Sequence, residues 1–129
     1  MKTRYGIGLA AAVIALSLGA VKIGELRAQA RPGAYVVIDI SEMKDTDAYV
    51  KAVSAAEPRA TESAGGQFVV RTNAPVALDG TAPNRYVVIA FDSVGKAKAW
   101  YETQAIKNVN AVRMQTTRSR AFMVEALKN

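Results

Sequence analysis

The spacing of four short β-branched runs constrains this chain more than any other feature. The stretches 34–40, Gln67–Thr72, Arg85–Phe91 and 121–125 are rich in valine, isoleucine and aromatic residues, which suit a pleated, half-buried surface. Between the first two, Tyr49, Val53, Ala56 and Ala60 recur at helical spacing behind Asp45, a good N-cap. Pro58 interrupts that helix, because its ring removes a backbone donor and crowds the preceding turn. Gly65-Gly66 then stops it, glycine accepting the left-handed conformation of a C-terminal cap. The connection 73–84 carries the turn signal Asp79-Gly80, with a short extra strand expected at 76–78. After the third run, Ser93 caps a second helical region through Val94, Ala97, Trp100 and Tyr101, which restarts past Thr103 with Ile106, Val109 and Val112.

The order is βαββαβ, and with right-handed crossovers it predicts a ferredoxin-like α+β fold: a four-stranded antiparallel sheet in the order 4-1-3-2, with the helices on one face. Strand alternation assigns Val36, Ile38, Ile40, Phe68, Val70, Val87, Ile89, Phe91, Phe122 and Val124 to the helix-covered face. The open face then receives Tyr35, Val37, Asp39, Gln67, Val69, Arg71, Tyr86, Val88, Ala90, Ala121, Met123 and Glu125. Taking strands one and three to run together, Glu125, Tyr35, Tyr86 and Arg71 form a row at one end, and Met123, Val37, Val88 and Val69 form an apolar middle. A soluble monomer seldom exposes such a band, so a homodimer through the open sheet face is expected.

These residues together resemble the family known as domain of unknown function 1330, small dimeric α+β-barrel proteins. The likeness spans 34–125. It rests on Tyr35 with Asp39-Ile40, Tyr49, Gly65-Gly66-Gln67-Phe68 leading to Arg71, and Leu78-Asp79-Gly80; then Arg85–Phe91, Ser93, Ala97, Trp100-Tyr101 and Val124-Glu125. Where the family often has a Ser-Pro-Glu-Tyr-like step, this chain has Thr103-Gln104-Ala105-Ile106. The resemblance implies protomers paired sheet to sheet and implies no activity, since the wider superfamily includes cofactor-free monooxygenases, haem-dependent enzymes and isomerases.

Residues 1–30 read as a secretory signal: Lys2 and Arg4, an uncharged apolar run over 6–21, and Ala28-Gln29-Ala30 before a cut at Arg31. An uncleaved anchor is the competing reading, but sixteen residues at about 1.5 Å each fall short of a roughly 30 Å hydrocarbon core. The mature domain is then 31–129, exported to the periplasm or secreted, with no membrane contact after cleavage. Losing four basic residues and one acidic residue lowers the formal charge from +6 to +3, which removes the case for a nucleic-acid partner.

The chain has neither histidine nor cysteine. Ser-His-Asp catalysis, imidazole acid–base work and zinc chemistry therefore go, and no metal or cofactor is expected. Asp45 and Asp47 read as cap and dipole partners of a helix start. Lys96, Lys98, Lys107, Arg113, Arg118 and Arg120 read as a solvated helix face. Core packing is expected of at least one of Trp100 and Tyr101.

The candidate ligand-binding residues are Arg71, Tyr35, Tyr86 and Glu125, with Glu125 and Asp39 as candidate proton-transfer groups. Two readings stay open: the row serves the dimer interface, or it helps form a pocket for an organic acid or aromatic molecule. Function accordingly divides between a homodimeric small-molecule-binding or structural protein and a cofactor-independent enzyme of isomerase or monooxygenase type.

Overall fold

The computed structural model describes residues 31–128, and the signal-sequence reading of 1–30 lies outside them. The chain runs β1 (Ala34–Met43), α1 (Thr46–Ala56), α2 (Arg59–Ser63), β2 (Gln67–Thr72), β3 (Arg85–Phe91), α3 (Val94–Tyr101), α4 (Gln104–Thr116) and β4 (Thr117–Glu125). The sheet order is β2-β3-β1-β4, the arrangement expected from the element order. Among the described residues no helix is long and apolar enough to cross a membrane.

Local signals act as anticipated at the helix ends. The Asp45 carboxylate accepts from the Ala48 amide and the Ser93 hydroxyl from the Lys96 amide. The first helix stops at Ala56 and restarts at Arg59, with Pro58 between the two pieces. Thr103 breaks the second region: its hydroxyl donates to the Trp100 carbonyl, and its own carbonyl accepts from Lys107 to start α4. Residues 76–78, expected as a short strand, are loop, and Val76 and Leu78 are exposed there.

Strand direction corrects the sequence reading. β1 pairs antiparallel with both β3 and β4, and β2 pairs antiparallel with β3, so strands one and three oppose each other. The reason is topological, since β3 and β4 are joined by a crossover and must run together on either side of β1. β4 also begins four residues earlier than expected, and its phase is reversed. Phe122 pairs with Val37, and Val124 with Tyr35, so both lie on the open face, while Ala121 and Met123 turn toward the helices. In β2 a bulge between Phe68 and Val70 inserts one residue. Beyond it the alternation is shifted, with Val70 opposite Val88 on the open face and Arg71 opposite Val87 on the helix-covered face.

The core lies between the sheet and the helices. Val36, Val87, Ile89 and Phe91 form its floor, with Ala97, Trp100 and Ile106 above them. Phe91 and Trp100 meet with ring centroids 5.3 Å apart. Each fully buried side chain of this size contributes about 1.5–3 kcal/mol. The two glycines after α2 serve different ends: Gly65 has φ +84°, whereas Gly66 is needed for close approach, because a Cβ there would sit 2.7 Å from Thr61 Cγ2 and 2.8 Å from Phe91 Cζ. Replacing Gly66 by alanine should therefore overpack the core and cost about 2 kcal/mol, on the order of 10 °C in Tm by thermal circular dichroism. An unchanged Tm would show that this contact is not limiting.

Candidate functional site

The helix-covered face is not wholly apolar. A cavity of about 50 Å³ lies between the sheet and helices α1 and α4, floored by Ile38, Phe68, Val87 and Ile89 and roofed by Val53, Ile106 and Val109. Six polar-headed side chains complete its wall: Tyr49, Glu57, Arg71, Arg85, Trp100 and Asn110. Arg85 is there because it lies in phase with Val87, Ile89 and Phe91, and Arg71 because of the bulge two residues before it.

The polar groups are linked, but incompletely. The Trp100 indole donates to the Thr61 hydroxyl at 3.0 Å, and that hydroxyl donates to Glu57 Oε1 at 2.6 Å. Thr61 is fully buried, so the chain satisfies two groups that would each be costly alone in the core. It ends at Glu57, whose Oε2 is buried without a hydrogen-bond partner among the described residues. Arg85 donates from Nη1 to Asn73 Oδ1, yet its Nε is buried and also unpartnered. The Arg71 guanidinium stands 4.8 Å over the Phe68 ring, and none of Glu57, Arg71 and Arg85 forms an ion pair with a described residue.

Behind Asn110 lies a third arginine. Arg113 is only 4% exposed, so it does not belong to the solvated cationic face expected from its spacing. It turns inward at the junction of α4 and β4, donating to Asn110 Oδ1 at 3.4 Å and to Ser119 Oγ at 2.7 Å. Arg118 and Arg120, placed with it in the sequence reading, are on β4 instead and pair with Glu42 and Asp39.

The expected row of Glu125, Tyr35, Tyr86 and Arg71 does not form. Tyr35 lies opposite Ala90 and Tyr86 opposite Asp39, which separates the phenols by four strand positions, about 13 Å. Arg71 is on the other face, and Glu125, at the end of β4 opposite Ala34, pairs with Lys128 at 3.5 Å. Asp39 remains on the open face beside Tyr86, 3.2 Å from Arg120. Of the candidate ligand-binding and proton-transfer residues, Arg71, Tyr35, Tyr86, Glu125 and Asp39, Arg71 alone lines the cavity. Glu57, Tyr49, Arg85, Trp100 and Asn110 supply the rest, and for Arg85 the signal was present: a basic residue in register with three buried apolar ones.

A second concavity, about 520 Å³, opens beside α3 over Val36, Ala97, Ala121 and Met123, with Tyr101 and Phe122 at its edges. Its rim charges are Lys98 and Glu102, and Glu102 already pairs with Lys107 at 3.2 Å. Unsatisfied polar groups therefore distinguish the smaller cavity as the candidate site. Among the described residues no group of three or more potential metal ligands converges.

The fold is that of several solved structures. A protein of unknown function from Rhodopseudomonas palustris is similar at 16% identity and a TM-score of 0.54, over 83% of this chain and 92% of that one. A dimeric ferredoxin-like protein of unknown function from Thermobifida fusca matches at 15% identity and a TM-score of 0.51, over 74% and 93%. SnoaB, a cofactor-independent oxygenase from Streptomyces nogalater, matches at 12% identity and a TM-score of 0.50, over 77% and 97%. At such identities the likeness is one of fold. No curated protein matches the chain. The family described as domain of unknown function (DUF1330) matches residues 33–127, the whole βαββαβ unit, and the chain belongs to that family.

Proposed function

We propose that the chain is an exported, homodimeric small-molecule-binding protein whose ligand is held between the sheet and the helices. The observation that carries the ligand site is the cavity wall: two arginines and a glutamate line one space without pairing with any described residue, and a buried atom on each of Glu57 and Arg85 lacks a partner. A buried polar group without a partner costs about 1–3 kcal/mol, more when charged, and a bound molecule would return that free energy. The space between the sheet and the helices is small and partly open to solvent, so the part of a ligand held within it is small.

The open face supports the dimer. Val70, Val88, Val37 and Phe122 form a continuous apolar row across all four strands, next to a row of Gln67, Ala90, Tyr35 and Val124. Val70, Phe122 and Val124 are each at least 40% exposed in the protomer. A second copy laid on this face would cover them, and would place Tyr35, Tyr86 and the Asp39–Arg120 pair at the seam rather than in the cavity.

A second reading, a cofactor-independent enzyme, has one observation in its favour. The Trp100–Thr61–Glu57 chain holds a carboxylate in position at the cavity wall, where it could accept a proton from a bound substrate. Turnover lost in Glu57→Gln with ligand affinity kept would favour this reading over simple binding.

Three measurements test the proposal. Expressed at full length, the protein should appear outside the cytoplasm with Arg31 as its first residue; a cytoplasmic protein retaining Met1 would overturn export. Light scattering of 31–129 should give twice the protomer mass, and Phe122→Arg should give the protomer mass with unchanged circular dichroism. A concentration-independent monomer for the unmodified chain would end the dimer. A thermal-shift screen of small organic acids, alcohols and aromatic compounds should find at least one that raises Tm and changes Trp100 fluorescence. A screen in which nothing does so would remove the ligand site.

A further inference from the structure

We infer that the cavity selects an anion of one chemical class: a short-chain hydroxy carboxylate of two or three carbons. This rests on the small-molecule reading above and adds the identity of the groups recognised. Charge gives the first restriction. Arg71 and Arg85 line the cavity, and Arg113 is buried behind Asn110, which lines it too; against these three cations stands one carboxylate, Glu57. The five ion pairs among the described residues involve none of the four. Arg113 is buried, Arg85 half-buried and Arg71 exposed at the mouth; with no carboxylate of the described residues paired to any of them, this excess of positive charge fits an anionic ligand, and the planar guanidinium matches a carboxylate in two parallel hydrogen bonds.

Glu57 restricts the class further. Its presence disfavours a doubly charged anion such as phosphate, because a second negative charge on the ligand would be repelled by the Glu57 carboxylate. Its unpartnered Oε2 is an acceptor that a hydroxyl on the ligand can satisfy, just as Arg85 Nε is a donor that the carboxylate can satisfy. Thr61 already holds the other oxygen, which leaves Oε2 for the ligand.

Size completes the argument. A water needs roughly 10–15 Å³ of space of this kind, so a cavity of about 50 Å³ holds about three to five such groups. That space matches a hydroxy acid of two or three carbons, held whole within a cavity that is partly open to solvent. The apolar floor of Ile38, Phe68, Val87 and Ile89 suits the carbon skeleton between the two polar ends.

The test compares glycolate with acetate, which differ by the hydroxyl alone, and with inorganic phosphate, by titration of 31–129 followed through Trp100 fluorescence and NMR. Glycolate should bind about ten-fold tighter than acetate, as expected for a hydrogen bond to a charged acceptor, and phosphate more weakly than either. Arg85→Met should lose at least ten-fold for both carboxylates. Glu57→Met should retain acetate and bring the glycolate-to-acetate ratio close to one; should that variant not fold, Arg71→Gln, at an exposed position, should weaken both carboxylates equally. Equal affinity for glycolate and acetate in the unmodified protein, or tighter binding of phosphate, would overturn the inference. If neither carboxylate binds while an uncharged compound from the thermal-shift screen does, the hydroxy acid assignment fails and the small-molecule reading stands.

Discussion

Removing one face of a sheet from water demands that every group in phase with it be apolar or be given a partner. Most of this structure follows from how that demand is met beneath the helices. Val36, Ile89 and Phe91 meet it by being hydrocarbon. Trp100 cannot, since its ring fills the space above Phe91 but brings an indole N–H into the core. The Thr61 hydroxyl accepts a hydrogen bond from it and donates one to Glu57. Two elements are thereby tied together, with α3 held to α2 by a hydrogen bond spanning 39 residues of chain.

Glu57 can end this relay because of where α1 stops. Its amide donates to the Val53 carbonyl at 2.7 Å, and so it caps the helix that Pro58 terminates. The side chain lies four residues before Thr61 across that break, and the short α2 returns the hydroxyl to within reach of it. A proline that reads as a mere interruption thus sets the position of the one carboxylate that lines the cavity among the described residues. The polar border of the core is a product of chain termination as much as of residue type.

The parts of this architecture that depend on local or periodic signals were legible in the sequence. Asp45 and Ser93 cap as their types dictate, Pro58 divides the first helix, and the alternation of elements led to the strand order. The site was much less legible, because it depends on phase. Phe68, Val69 and Val70 are three apolar residues in succession, and such a run carries no mark of the bulge that turns Arg71 inward. β4 offered two apolar phases, Phe122 with Val124 or Ala121 with Met123. Only the pairing of Phe122 with Val37 decides between them. Arg113 has the spacing of a surface lysine, and its burial is determined by Ser119 on the following strand, a contact that no helical periodicity contains.

The two faces of the sheet are also mechanically one object. Val37 and Val88 on the open face alternate with Ile38 and Val87 in the floor of the cavity, along the central strands β1 and β3. A cavity of about 50 Å³ is sensitive to small changes in the height of that floor, since a shift of one methyl group is comparable with the space for a water. Whatever fixes the twist of the open face therefore fixes the volume beneath the helices. In a sheet-to-sheet dimer the partner would act as the rigid backing for the site. An apolar face suited to a partner and a charged cavity suited to a small anion are then two requirements on the same pair of strands, met by side chains that alternate residue by residue.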